Sequence, residues 1–203
     1  MEYIRRKRVN KKNMKSIIID TPFEGLKIIE PQVFNDSRGY FFESFNSLYF
    51  KEAGINIEFV QDNESMSQKG VLRGLHYQLN PMAQAKLVRV VMGEVLDIMV
   101  DIRKGSPTYG KVFNIILSSD NKKQVFIPRG FAHGFYVLSQ TCIMQYKCDN
   151  YYSKEYERGI NFNDHELNID FGVDISNAII ADKDKNFPLL KNCDNNFVFQ
   201  SII

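Results

Sequence analysis

The sequence predicts an all-β fold, and two observations predict it. Short runs of alternating apolar and polar residues recur from Leu87 to Cys148 with Gly-rich turns between them. Helical periodicity is scarce along the whole chain. Strands at this spacing build an antiparallel sandwich or barrel.

Taken in order, Ser47 to Ala53 has the pattern of a short helix. Leu87 to Val91 and Val95 to Arg103 read as two strands around the tight turn Met92-Gly93-Glu94. In the second strand Leu96, Ile98, Val100 and Ile102 share one face, and Asp97, Asp101 and Arg103 the other. Gly105-Ser106-Pro107 and Tyr109-Gly110 punctuate the next connection. Val112 to Leu117 alternates again, and Ser118 to Lys123 is a polar loop. Gln124 to Pro128, Phe131 to Leu138 and Cys142 to Cys148 follow as strands. Lys183 to Lys191 has room for another helical turn or two. No internal repeat and no linker divides the chain.

With 203 residues, 44% apolar and 25% charged, one packed domain is expected. No apolar run approaches the ~20 residues of a membrane span. Residues 1–15 hold Arg5, Arg6, Lys7, Arg8, Lys11, Lys12 and Lys15 against Glu2 alone, and the remainder has 19 basic and 23 acidic side chains, a net −4. Such a head can be an arm for nucleic acid or membrane. It is read instead as a disordered leader over residues 1–14, ahead of a start at Met14, with the domain over 15–203. Neither nucleic acid nor membrane is expected as a partner. The three cysteines, Cys142, Cys148 and Cys193, have no disulfide or zinc spacing, which fits a reducing cytoplasm.

Chemistry concentrates in two runs. Val71-Leu72-Arg73-Gly74-Leu75-His76-Tyr77-Gln78 and Pro128-Arg129-Gly130-Phe131-Ala132-His133-Gly134-Phe135 contain two of the three histidines. Between them lies Gln84-Ala85-Lys86-Leu87-Val88. The spacing Pro128-x-Gly130-x-x-His133 resembles the second motif of the metal-binding cupin jelly rolls. Their first motif is broken, because Tyr77 and Gln78 follow His76 where a second histidine is needed. Two imidazoles without a third ligand make a poor divalent site, so no metal is expected. A lone strand histidine is ordinarily a satisfied core residue. An Arg, a His and a Lys inside one barrel, however, would be costly without an anionic ligand.

The ordered set of motifs resembles the dTDP-4-dehydrorhamnose 3,5-epimerase family from about Lys15 to about Pro188. It comprises Asp36-Ser37-Arg38-Gly39-Tyr40-Phe41-Phe42-Glu43, Phe59-Val60-Gln61-Asp62-Asn63, the two runs above with Gln84 to Val88, and Asp101-Ile102-Arg103-x-Gly105-Ser106-Pro107-Thr108. Tyr146-Lys147-Cys148, Tyr151-Tyr152, Glu157-Arg158-Gly159-Ile160 and Asp182-Lys183-Asp184 complete it. The resemblance implies a cupin-like jelly roll, an antiparallel double-stranded β-helix with short peripheral helices. It implies epimerisation at C3 and C5 of a dTDP-linked 4-keto-6-deoxyhexose, with no cofactor.

By that resemblance His76 is the general base and Asp184 its partner, Lys86 stabilises the enolate, and Tyr146 is the acid on the far face. His133 contacts the sugar or the oxyanion. Arg38 and Arg73 take the diphosphate. Glu43, Gln61, Asp62, Asn63, Glu157 and Lys183 surround the ligand, and Phe41 and Tyr152 sandwich the thymine. A homodimer with exchanged N-terminal strands is implied, so that Arg38 and Glu43 serve the partner's site. Relatives that invert one carbon, a metal-dependent cupin and a non-catalytic sugar-binding jelly roll are the competing readings.

Overall fold

The computed structural model describes residues 16–200, together with the backbone of Arg6–Arg8. The strands are β1 (Arg6–Arg8), β2 (Ile17–Asp20), β3 (Lys27–Glu30), β4 (Phe34–Asp36), β5 (Gly39–Phe41), β6 (Gln61–Gln68), β7 (Val71–Gln78) and β8 (Lys86–Met92). They continue as β9 (Glu94–Asp101), β10 (Val112–Ser118), β11 (Gln124–Ile127), β12 (Phe131–Val137), β13 (Thr141–Cys148), β14 (Glu157–Gly159) and β15 (Ile179–Ile180). Two short helices are α1 (Ser47–Glu52) and α2 (Asp182–Lys185). The backbone of β1 pairs antiparallel with β2. At those three residues the expected leader is extended and paired; the rest of it lies outside the described residues.

One sheet runs β1-β2-β3-β11-β8-β13-β6 and a second runs β10-β9-β12-β7-β14, with β15 alongside β7. This is the expected all-β jelly roll. The turn between β8 and β9 holds Gly93 at φ +84°, where a Cβ would lie 2.1 Å from the Thr141 carbonyl oxygen. Only glycine fits both demands.

The two sheets face each other across a core built from Val88, Val90, Val95, Met99, Phe131, Phe135, Cys142 and Met144. Each such side chain contributes about 1.5–3 kcal/mol when fully buried. Behind the second sheet, Leu72, Leu75, Leu96, Ile98 and Val100 pack against Ile160, Leu167, Leu190 and Phe197 of the C-terminal segment. Both faces of β9 are therefore buried, including the acidic one. Asp101 is compensated by bonds from Arg103, Ser106 and Thr108.

Helix α1 starts where Asn46 caps the Leu48 and Tyr49 amides, and it lays Phe50 on the outer face of the first sheet. The expected helical stretch at Lys183 to Lys191 splits. It becomes α2 and a 3₁₀ turn at Leu190–Asn192, because Pro188 bars Phe187 from helical backbone. Among the described residues, no helix is long and apolar enough to cross a membrane.

Candidate active site

A cavity of about 400 Å³ opens between the two sheets, lined by Gln61, Asn63, His76, Lys86, Tyr146, Tyr152 and Glu157, with Tyr77, Gln78 and Gln84. Seven residues singled out in the sequence thus meet in one cleft. His76 comes from β7 of one sheet, and Lys86 and Tyr146 from β8 and β13 of the other.

The His76 Nε2 lies 2.8 Å from Asp184 Oδ1, and the Gly74 amide donates to Asp184 Oδ2 at 3.0 Å. Asp184 is buried, which by itself would raise its carboxyl pKa. The bonds from His76 and Gly74, with the charges of His76 and Lys183, outweigh burial and hold the pKa below the usual value. A carboxylate so placed fixes the imidazole tautomer, with Nε2–H donated and the Nδ1 lone pair free.

Burial pulls the Lys86 pKa down, and Cys148, Asp97 and Glu157 act in the other direction. Burial raises the Tyr146 phenol, while the nearby Arg73 guanidinium lowers it; the net shift is upward. Arg73 itself is exposed, and its Nε donates to Ser67 Oγ at 3.0 Å. At the mouth, Glu157 accepts from Lys183 Nζ at 2.7 Å and from the Tyr152 hydroxyl at 3.0 Å.

Several expected positions fall elsewhere. Asp62 points to the outer face of β6 and pairs there with Lys147 at 2.9 Å. Strand alternation forbids Gln61, Asp62 and Asn63 from facing one side together. His133 is buried, with its Nε2 2.7 Å from Asp97 Oδ1, and does not line the cavity. It lies directly opposite His76 on the neighbouring strand. Arg38 and Phe41 sit on the β4–β5 hairpin, whose three paired positions are all exposed, and Arg38 pairs with Asp36. Glu43 follows that hairpin and is absent from the cleft lining. Phe41 and Tyr152 line separate cavities, so one chain alone does not form their sandwich.

The sequence reading passed over Gln78 and Gln84. Gln78 donates to the Met82 and Tyr151 carbonyls and accepts from the Ser153 amide, pinning the loop that carries Tyr152. Gln84 holds the Asn150 carbonyl at 2.8 Å. Gln78 lies two residues from His76 on β7 and so was findable from the strand period; Gln84 precedes β8 and gave no such signal. Among the described residues, no group of three or more His, Cys, Asp and Glu side chains is arranged to hold a metal ion.

A family model described as dTDP-4-dehydrorhamnose 3,5-epimerase matches residues 20–192. The chain is 56% identical over 170 residues to the dTDP-4-dehydrorhamnose 3,5-epimerase of Shigella flexneri, covering 83% of this chain and 93% of that protein. It is 50% identical over 176 residues to the protein of the same description from Methanothermobacter thermautotrophicus, covering 86% and 95%. The crystal structure of the dTDP-6-deoxy-D-glucose-3,5-epimerase of Legionella pneumophila Philadelphia 1, in complex with dTDP-4-keto-L-rhamnose, superposes with a TM-score of 0.87. It is 49% identical and covers 91% of this chain and 98% of that one. Fold and cleft together define a cupin-like jelly-roll isomerase. The chain belongs to the dTDP-4-dehydrorhamnose 3,5-epimerase family.

Proposed function

We propose that this epimerase inverts C3 and C5 of a dTDP-linked 4-keto-6-deoxyglucose by removing a proton from one face and returning one to the other. Both carbons are alpha to the C4 carbonyl, so the electrons left by the departing proton move onto the C4 oxygen. His76 takes the proton at Nδ1, and Asp184 stabilises the resulting imidazolium. Lys86 holds the enolate oxygen, where a fixed cation contributes most. Tyr146 gives its hydroxyl proton to the opposite face of the carbon. Solvent then resets both groups before the second inversion.

The observation that carries this reading is the shared cleft: His76 projects from one sheet, and Lys86 and Tyr146 from the other. Gln61, Asn63, Tyr152, Glu157 and Lys183 are read as ligand contacts at its mouth, and Arg73 as a diphosphate contact beside it. The exposed β4–β5 hairpin supports a further reading, in which Arg38, Phe41 and Glu43 serve the cleft of a second copy in a cytoplasmic homodimer. Asp62 is left on the outer face, and His133 orients Asp97 beneath the site.

The test is incubation with the keto sugar in D₂O. Deuterium is expected at C3 and at C5 of the product. Label at one carbon alone would make the protein a mono-epimerase, and label at neither would remove the catalytic assignment.

A further inference from the structure

We propose that Phe187 is a positioning residue for His76: it sets the plane of the imidazole while Asp184 holds its Nε2. The inference rests on the reading of His76 as the base. One hydrogen bond to Asp184 fixes a single ring atom and leaves the ring free to pivot about that bond. The Phe187 ring stands against the imidazole with centroids 5.5 Å apart and planes at 79°. That edge-to-face contact opposes the pivot.

The slot that admits Phe187 is built into the sheet. Gly159 on β14 is the direct cross-strand partner of His76 on β7. A Cβ at Gly159 would lie 2.3 Å from Phe187 Cε2 and 2.5 Å from Cδ2 and Cζ. The ring therefore occupies the space where any other residue would place its side chain. Lys183 Nζ lies 5.9 Å from the ring centroid. Phe187 follows Asp184 by three residues, so one short segment grips the imidazole at two points.

Five variants test this, each assayed for kcat, KM and thermal melting. Phe187→Ala should lower kcat by about 10–100-fold with KM within a few-fold, since a misaligned base loses rate rather than substrate affinity. Phe187→Tyr should restore most of the rate. Gly159→Ala, with Phe187 intact, should reproduce the kcat loss by driving the ring out. The double variant Gly159→Ala/Phe187→Ala should be no slower than Phe187→Ala, because the new methyl enters vacated space. Phe187→Leu keeps apolar volume over Gly159 without a ring plane; should the alanine variant melt early, the leucine variant is expected to fold and still lose kcat. Full turnover in Phe187→Ala, a loss confined to KM, or additive losses in the double variant would overturn the inference. An inactive wild-type protein would instead refute the function on which it rests.

Discussion

The Lys86 ammonium stands 5.9 Å from the centre of the Tyr146 ring. One cause moves the two groups in opposite directions. Burial favours the neutral form of each, so the lysine loses its proton more readily and the phenol keeps its own longer. At neutral pH the phenol therefore still holds the proton that the proposed reaction needs.

The pH dependence follows from those directions. As pH rises, Lys86 passes its lowered pKa and becomes neutral, whereas burial delays the loss of the Tyr146 proton. The alkaline fall of kcat is therefore expected below the 10.5 of an ordinary lysine, and it reports loss of the enolate's cation. Lys86→Arg keeps its charge throughout that range and should shift the alkaline limb upward, even at reduced turnover. A kcat–pH profile of both proteins checks this; an unmoved limb would assign the titration to another group.

Replacing the proposed proton donor separates the two halves of each inversion. In Tyr146→Phe, His76 still abstracts and returns protons on its own face. Deuterium from D₂O should enter recovered substrate while inverted product falls by about 10²–10⁴-fold, the span for losing a general acid. Mass spectrometry of substrate and product reads both quantities. Equal loss of exchange and inversion would mean that Tyr146 acts before the proton leaves.

Asp184→Asn tests the dyad by rate and by stability. Turnover should drop by about 10²–10⁴-fold, because an amide can accept the same Nε2–H bond but cannot stabilise the imidazolium. The Asp184 carboxyl has a folded pKa below its reference value of 3.8. The unfolded chain therefore binds that proton more readily. The stabilisation is complete above the unfolded value and is lost as pH falls through the lowered folded one. Urea melts should show the variant less stable at neutral pH, with the gap closing in acid. A gap independent of pH would remove the ionised pair.

The strands from β8 to β13 were legible because alternation and glycine turns are local signals. The cleft was legible only through the ordered motifs: His76 and Lys86 are near in sequence, but Tyr146 and Asp184 arrive through pairings that no local pattern encodes. Alternation in β9 showed two faces and not what covers them, so buried Asp97 and Asp101 could not be foreseen. Asp62 is the converse case: motif adjacency groups it with Gln61 and Asn63, and the strand period puts it on the opposite face. Phe187 gave no signal because its place depends on an absent side chain, at Gly159, across a sheet.

The hairpin supplies the remaining prediction. Arg38 is 88% exposed and lies outside the cleft of its own chain. In the proposed homodimer, Arg38→Ala and His76→Ala should each be nearly inactive when pure, for different reasons. If Arg38 serves the partner's cleft, a mixed dimer places both defects in one site and leaves the other intact. Co-refolding equal amounts should then recover roughly a quarter of wild-type activity, the share expected for random pairing in a two-fold dimer. If Arg38 acts on its own chain, each site of the mixed dimer keeps one defect and no activity returns. Arg38→Ala at full turnover would show that the hairpin guanidinium takes no part in binding the diphosphate.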